Sequence, residues 1–176
     1  LKGDAVRSFT LMFLQMWNIS EAVIEPNDKY IRYNLMKDED GSKGFVMPYG
    51  DSPLDHENVG ELVYMDILNR ATDYVHITTP YLILDNEMAT ALKYAAKRGV
   101  EVIIIMPHIP DKVYAYLLAR TYYPELIEAG VKIYEFEPGF IHAKGFVSDD
   151  IRAVVGSINL DYRSLYLHFE CAAYMY

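Results

Sequence analysis

From Glu57 onward the chain alternates between stretches of helical apolar period and short β-branched runs. That alternation leaves few folds open. Glu57 to Thr72 reads as an amphipathic helix, Tyr74 to Thr79 as a strand, and Asn86 to Arg98 as a second helix. Val100 to Met106 follows as a strand apolar on both faces, Lys112 to Ala129 as a helix broken near Pro124, and Val131 to Phe136 as the next strand. Arg98-Gly99-Val100 and Ala129-Gly130-Val131 each put glycine where a helix closes in a left-handed cap before a strand begins. Strand, helix, strand, helix, strand implies a parallel core with right-handed crossovers. In such sheets ligands sit beyond the carboxyl ends of the strands, where Pro80-Tyr81 and Pro107-His108 fall.

The N-terminal part is less regular. Asp4 to Trp17 has a helical pattern in which Val6, Phe9, Phe13, Met16 and Trp17 form an apolar stripe, expected to pack into the core. Ile19 to Lys43 is polar and mixed in charge and reads as a poorly ordered connector; Gly44 to Tyr49 is a short strand candidate. With 176 residues, 52% of them hydrophobic, residues 1–176 make one domain with a good-sized core. The single cysteine, Cys171, allows no internal disulfide, and no Cys/His cluster has zinc spacing, so neither metal nor cofactor is expected. No run reaches the roughly 18 to 20 apolar residues of a membrane span, and no signal peptide precedes Leu1. A start without methionine, inside a patterned stretch, suits a segment of a longer chain.

The chemistry concentrates in Phe140 to Glu170. His142 and Lys144 stand two apart in an apolar, β-branched context, so on a strand their side chains project from one side. Ser148-Asp149-Asp150 reads as a turn, Ile151 to Val155 as the returning strand, and Gly156-Ser157-Ile158-Asn159 as its end, with Ser157 and Asn159 again on one face. Such a hairpin gathers an imidazole, an ammonium, a hydroxyl and a carboxamide. The set suits an anionic group undergoing substitution, because a phosphodiester attacked in line spreads charge over its equatorial oxygens. Lys144 and Asn159 can neutralise and hold that charge, and His142 can act as a nucleophile near neutral pH. A carboxylate on its second nitrogen, from Glu170 or Asp161, would fix its tautomer; the sequence does not choose between them.

The pattern His142, Lys144, Asp149, Gly156, Ser157, Asn159 resembles the HKD signature of the phospholipase D superfamily. The continuation Asn159-Leu160-Asp161-Tyr162-Arg163-Ser164 to Phe169-Glu170 is similar to the bacterial cardiolipin synthases within it, as are Thr78-Thr79-Pro80-Tyr81, Ala95 to Val100, Tyr122-Tyr123 and the run Ala129 to Lys144. Gly3-Asp4-Ala5-Val6 followed by Phe13 and Trp17 resembles the segment that opens the second half of those enzymes. Two positions depart from the pattern: His168 stands where the family more often has Asn, and Leu84 where it more often has Pro before the acid Asp85.

The resemblance implies an α/β fold, a mixed, largely parallel sheet flanked by helices on both faces, forming one lobe. It implies that His142 is nucleophile or general acid, that Lys144 and Asn159 bind phosphoryl oxygens, and that Asp149, Ser157 and Glu170 complete the catalytic set, with Tyr81, Gly156 and His108 on the substrate side. The family uses two such motifs and this sequence holds a single His-x-Lys. The expected partners are therefore the missing N-terminal HKD half or a second copy of the chain, phosphatidylglycerol as substrate, and the cell membrane through the full-length protein. A net charge of −9 argues against nucleic acid, which draws basic surfaces, and gives no help toward anionic lipid either. Lys112 and Arg120 are candidates for a local basic patch, while His56 and His76 have no assigned chemistry. Of the 16 tyrosines, Tyr114, Tyr116, Tyr122 and Tyr123 share one helical stretch and either face a lipid or partner, or pack against the sheet.

Overall fold

The computed structural model describes residues 3–24, 26–31 and 44–176. In chain order its elements are α1 (Ala5–Ile19), a 3-10 turn (Asn27–Lys29), β1 (Val46–Asp51), α2 (Val59–Arg70), β2 (Tyr74–Thr78), β3 (Leu82–Ile83) and α3 (Asn86–Lys97). These are followed by β4 (Glu101–Pro107), α4 (Val113–Glu128), β5 (Lys132–Phe136), β6 (Gly145–Ser148), β7 (Arg152–Gly156), β8 (Leu160–Asp161), α5 (Tyr162–Tyr166) and β9 (Glu170–Met175). About half of the expected connector, positions 32 to 43, lies outside the described residues.

The local chemistry explains the helix ends. Asp85 accepts the Met88 amide at 2.7 Å and so caps α3. Gly99 and Gly130 take φ of 95° and 103°, and the chain closes over them with bonds from Val100 to Ala95 at 3.2 Å and from Val131 to Leu126 at 3.0 Å. Helix α4 runs straight through Pro124, where a break was expected. Pro124 and Arg120, whose carbonyl loses its donor, are both exposed, so water can stand in for the missing amide.

One seven-stranded mixed sheet organises the molecule, in the order β1-β9-β7-β6-β2-β4-β5; β3 and β8 pair separately. Strands β2, β4 and β5 are parallel, and β6, β7, β9 and β1 extend them antiparallel. The register assigns each side chain to a face. One face carries Val75, Ile77, Val102, Ile104, Met106, Phe146 and Val154, all buried under Tyr64, Ile67 and Leu68 of α2, Met88 and Leu92 of α3, and Ala119 and Leu126 of α4. Tyr64 stacks on Phe146 with ring centroids 4.0 Å apart. Burial of each large side chain there contributes about 1.5–3 kcal/mol.

Helix α1 lies on the other face, its Met12 sulfur sitting over Gly50 of β1. Its apolar stripe does not pack inward as the periodicity suggests: Phe13 is 60% and Trp17 51% exposed, and Leu14 is the buried residue of the helix. A period fixes which residues share a face, and says nothing of whether the polypeptide present covers that face.

The chain path positions the site. It leaves β5 at Phe136, runs past the carboxyl ends of β4 and β2 over residues 137–144, and enters β6 beside the end of β2, where Gly145 pairs with Thr78. Strand order grows one way from β2 through β4 to β5 and the other way through β6 and β7. The bridge therefore lies over the point where the sheet changes direction, the usual place for a ligand in α/β folds.

Candidate active site

His142 and Lys144 precede strand β6 and do not lie on it. Residues 138–143 make no backbone-to-backbone hydrogen bond among the described residues. The bridge is held by side chains instead. Lys144 Nζ donates to the carbonyl of His142 at 2.6 Å. The imidazole sits between two rings, with Phe140 stacked at 5.6 Å and Tyr81 edge-on at 6.0 Å. Tyr81 in turn donates to Asp111 Oδ2 at 2.5 Å. Burial, the Asp111 hydrogen bond and nearby carboxylates push its phenol well above its ordinary pKa.

The opposite wall comes from the segment after β7. Thr79 Oγ1 accepts the Leu160 amide at 3.2 Å and donates to the Tyr81 carbonyl at 2.9 Å, which ties the end of β2 to β8. Ser157 accepts the Cys171 amide at 3.0 Å and donates to Glu170 Oε2. Asn159 Nδ2 bonds Ser164 Oγ at 2.8 Å, and its buried Oδ1 has no partner. Turned over, the same amide would accept from the Ser164 hydroxyl and put its two N–H donors where the unpartnered oxygen now stands. Burial pulls the Lys144 ammonium below its ordinary pKa, against Glu170, Asp111 and Asp161, so the cation lies within the field of all three carboxylates.

The two carboxylates considered for His142 are engaged elsewhere. Asp161 caps α5, accepting the Ser164 amide at 2.7 Å. Glu170 holds Ser157, and its other oxygen lies 3.6 Å from His168 Nδ1. His168 Nε2 faces Arg163 at 3.1 Å, and since a guanidinium can only donate, Nε2 is the acceptor in that contact.

Three expected site residues have other surroundings. Asp149, grouped with the catalytic set by the motif, sits at the far end of β6 in the hairpin turn, and its carboxylate accepts from Thr72 N, Thr72 Oγ1, Asp73 N and Tyr74 N at 2.8–3.2 Å. Five residues of extended chain put it about 16 Å from Lys144. His108 bonds Glu135 at 3.0 Å, and Tyr116 holds the other oxygen of that carboxylate at 2.9 Å, so His108 is tied toward α4. Gly156 faces Ala172 of β9, and a Cβ on it would come within 2.4 Å of both Ala172 Cβ and the Cys171 carbonyl. Gly156→Ala is accordingly expected to cost about 2–3 kcal/mol by forcing the strands apart. Thermal melts of the two proteins read that difference directly; equal melting temperatures would show that β9 yields freely.

Asp111 and Phe140 join the neighbours of the site without having been expected there. Phe140 lay two residues from His142 at ring-stacking reach, while Asp111 is thirty residues from Tyr81 and carries no local signal. Of the clustered tyrosines, Tyr123 is half-buried, Tyr116 and Tyr122 bond Glu135 and the Leu84 carbonyl, and Tyr114 alone of the four is exposed. Among the described residues no three His, Cys, Asp or Glu side chains are placed to hold a metal ion, and no helix is long and apolar enough to cross a membrane.

Comparison with known proteins extends this geometry. Residues 64–176 match the family described as the PLD-like domain of cardiolipin synthase. The chain is 39% identical over its whole length to cardiolipin synthase 2 of Bacillus anthracis and 35% identical to cardiolipin synthase of Halalkalibacterium halodurans, spanning 34% and 35% of those proteins. It is 63% identical to an uncharacterised protein of Streptococcus mutans and spans 38% of it. Among solved structures, Nuc of Salmonella typhimurium, a phospholipase D family member, superposes with a TM-score of 0.62 at 19% identity, over 76% of this chain and 84% of that one. Phosphatidylserine synthase of Haemophilus influenzae superposes with a TM-score of 0.60 at 20% identity, over 74% of this chain and 34% of that one. With a bridge bearing His142 and Lys144 over the turning point of a phospholipase D-like sheet, and a match running from Tyr64 to the last residue, this chain belongs to the PLD-like domain family of the cardiolipin synthases.

Proposed function

We propose that the chain is one catalytic half of a phosphatidyltransferase that joins two phosphatidylglycerol molecules into cardiolipin and releases glycerol. The observation that carries this reading is the placement of His142 and Lys144 on the bridge opposite Ser157 and Asn159, beyond the carboxyl end of β2. Lys144 and the reoriented Asn159 amide bind the phosphoryl oxygens, and Ser157 with Glu170 holds the wall behind them. An imidazole nitrogen attacks phosphorus, the bond to one glycerol headgroup breaks, and the leaving oxygen takes a proton from an acid. The headgroup hydroxyl of a second phosphatidylglycerol then returns a proton to that group and attacks the phosphohistidine, and the P–N bond breaks to free the imidazole. His142 fills one of these two roles. The other belongs to a second motif, in the remaining part of the full-length protein or in another copy of the chain. Both substrates are lipids, so the full-length protein works at the cell membrane.

The test is a phosphatidylglycerol assay on the full-length protein in mixed micelles. Cardiolipin and glycerol in equal amounts are expected. Phosphatidic acid without cardiolipin would make water the acceptor and the enzyme a hydrolase; no turnover at all would leave a lipid-binding lobe.

A further inference from the structure

Of the three carboxylates that act on the Lys144 ammonium, Asp111 differs from the other two. Asp161 is buried and caps α5, and Glu170 has one oxygen on Ser157 and the other toward His168. Asp111 is exposed; its Oδ2 accepts from the Tyr81 phenol, and its Oδ1 has no hydrogen-bond partner among the described residues. The carboxylate is nevertheless held in place. It lies in the turn between β4 and α4, which is tied at both ends. On one side the His108 amide bonds the Phe136 carbonyl at 3.3 Å and the His108 ring bonds Glu135 at 3.0 Å; on the other the Lys112 carbonyl accepts the Tyr116 amide at 3.1 Å. Tyr81, whose ring meets His142 edge-on, fixes the carboxylate itself. An open carboxylate oxygen therefore stands one phenol away from the reactive imidazole, and its charge reaches Lys144 more strongly than that of Asp161.

A fixed anion beside a phosphate site works against it. Alone, Asp111 weakens the hold on any phosphodiester, because it cancels part of the Lys144 charge. The loss is offset when the substrate brings a donor to the open oxygen, since a hydrogen bond to a charged acceptor is roughly twice as strong as a neutral one. We propose that Asp111 selects the headgroup: its open oxygen accepts from a hydroxyl of the glycerol on the phosphatidylglycerol whose phosphate lies against Lys144. The inference rests on the phosphatidylglycerol reading above and names the residue that reads the headgroup. An ammonium headgroup also suits a carboxylate, but here it would stand beside Lys144 and be repelled by it. A hydroxyl brings the donor without the charge. A headgroup with no donor meets the repulsion alone, and so discrimination comes from what Asp111 excludes as well as from what it binds.

Calorimetric binding of short-chain lipids to the full-length protein tests this, with His142→Ala present to suppress turnover and each lipid kept below its micellar concentration. Dihexanoyl phosphatidylglycerol is compared with dihexanoyl phosphatidylpropanol, which differs only in lacking the headgroup hydroxyls, and with dihexanoyl phosphatidylethanolamine. Each titration is repeated with Asp111→Asn added, which keeps the shape and an acceptor for Tyr81 but removes the charge. With Asp111 in place, the glycerol lipid is expected to bind about tenfold more tightly than the propanol lipid. Asp111→Asn should close that ratio from both ends, weakening the glycerol lipid and tightening the propanol lipid by about threefold each. A residue that merely supported Tyr81 would not produce these opposite shifts, so equal losses for both lipids would overturn the proposal. An unchanged ratio, or binding of neither lipid, would remove Asp111 from headgroup choice, and tighter binding of the ethanolamine lipid would overturn the choice of a hydroxyl. Cardiolipin formation can fail with the ratio intact and succeed without it, so this inference and the proposed reaction fall separately.

Discussion

His142→Ala in the full-length protein is expected to lower kcat/KM for cardiolipin formation by about 10³-fold or more, roughly 4 kcal/mol of transition-state stabilisation. The melting temperature should stay where it is. Neither ring that touches the imidazole offers a nitrogen to bond phosphorus. The ring's neighbours are Phe140, which has no exchangeable proton, and Tyr81, whose phenol is held protonated by burial and by Asp111. Stability is spared because the imidazole is exposed and, among the described residues, has ring contacts and no hydrogen bond to lose. Steady-state assays beside thermal melts check both halves of the claim, and retention of a tenth of the activity would move the chemistry elsewhere. A phosphatidyl ester of nitrophenol, which leaves without an acid, separates the two roles: the variant regains turnover on it if His142 is the acid and stays inert if it is the nucleophile.

Asp149→Ala should do the reverse, unfolding the protein more easily while leaving turnover per folded molecule unchanged. Four donors lose their acceptor at once, three of them the amides of Thr72, Asp73 and Tyr74 that lead into strand β2. The residue also sits at φ 55°, where aspartate is tolerated better than alanine. About 2–3 kcal/mol is expected, or a melting point lower by roughly 5–10 °C. Burial raises the Asp149 carboxyl, but the amides of Tyr74, Thr72 and Asp73 with the Thr72 hydroxyl outweigh it and hold the group below its ordinary pKa. A carboxyl depressed by folding stabilises fully above its unfolded value, near 4, and loses that contribution as pH falls through the folded value. Melts of the two proteins should therefore lie apart at neutral pH and draw together in acid. A constant gap would mean that the charge contributes nothing.

Much of the fold could be read in advance where backbone chemistry is local. Gly99 and Gly130 announce two helix ends, and the triple isoleucine of β4 announces a strand apolar on both sides. The site was legible to the extent that its groups lie close in sequence, as His142, Lys144, Ser157 and Asn159 do. What stayed hidden depends on partners far along the chain. Asp149 meets Thr72 across 77 residues and Tyr81 meets Asp111 across 30, and no spacing rule encodes either. Periodicity misled once, at α1, because it reports a face and not its cover. Strand alternation misled at His142 and Lys144, which precede β6, Lys144 meeting the ladder only through its carbonyl.

The bridge from Phe136 to Gly145 separates what the protein must keep from what it can change. Its two ends are fixed by ladders in β5 and β6, and of the eight residues between only Lys144 joins one, its carbonyl accepting the Gly156 amide at 3.3 Å, while His142 lies outside both. Insertions or exchanges there alter the reach and lining of the cleft while leaving strand register untouched. Change can thus proceed through one short loop, on a frame that neighbours of about 20% identity still share.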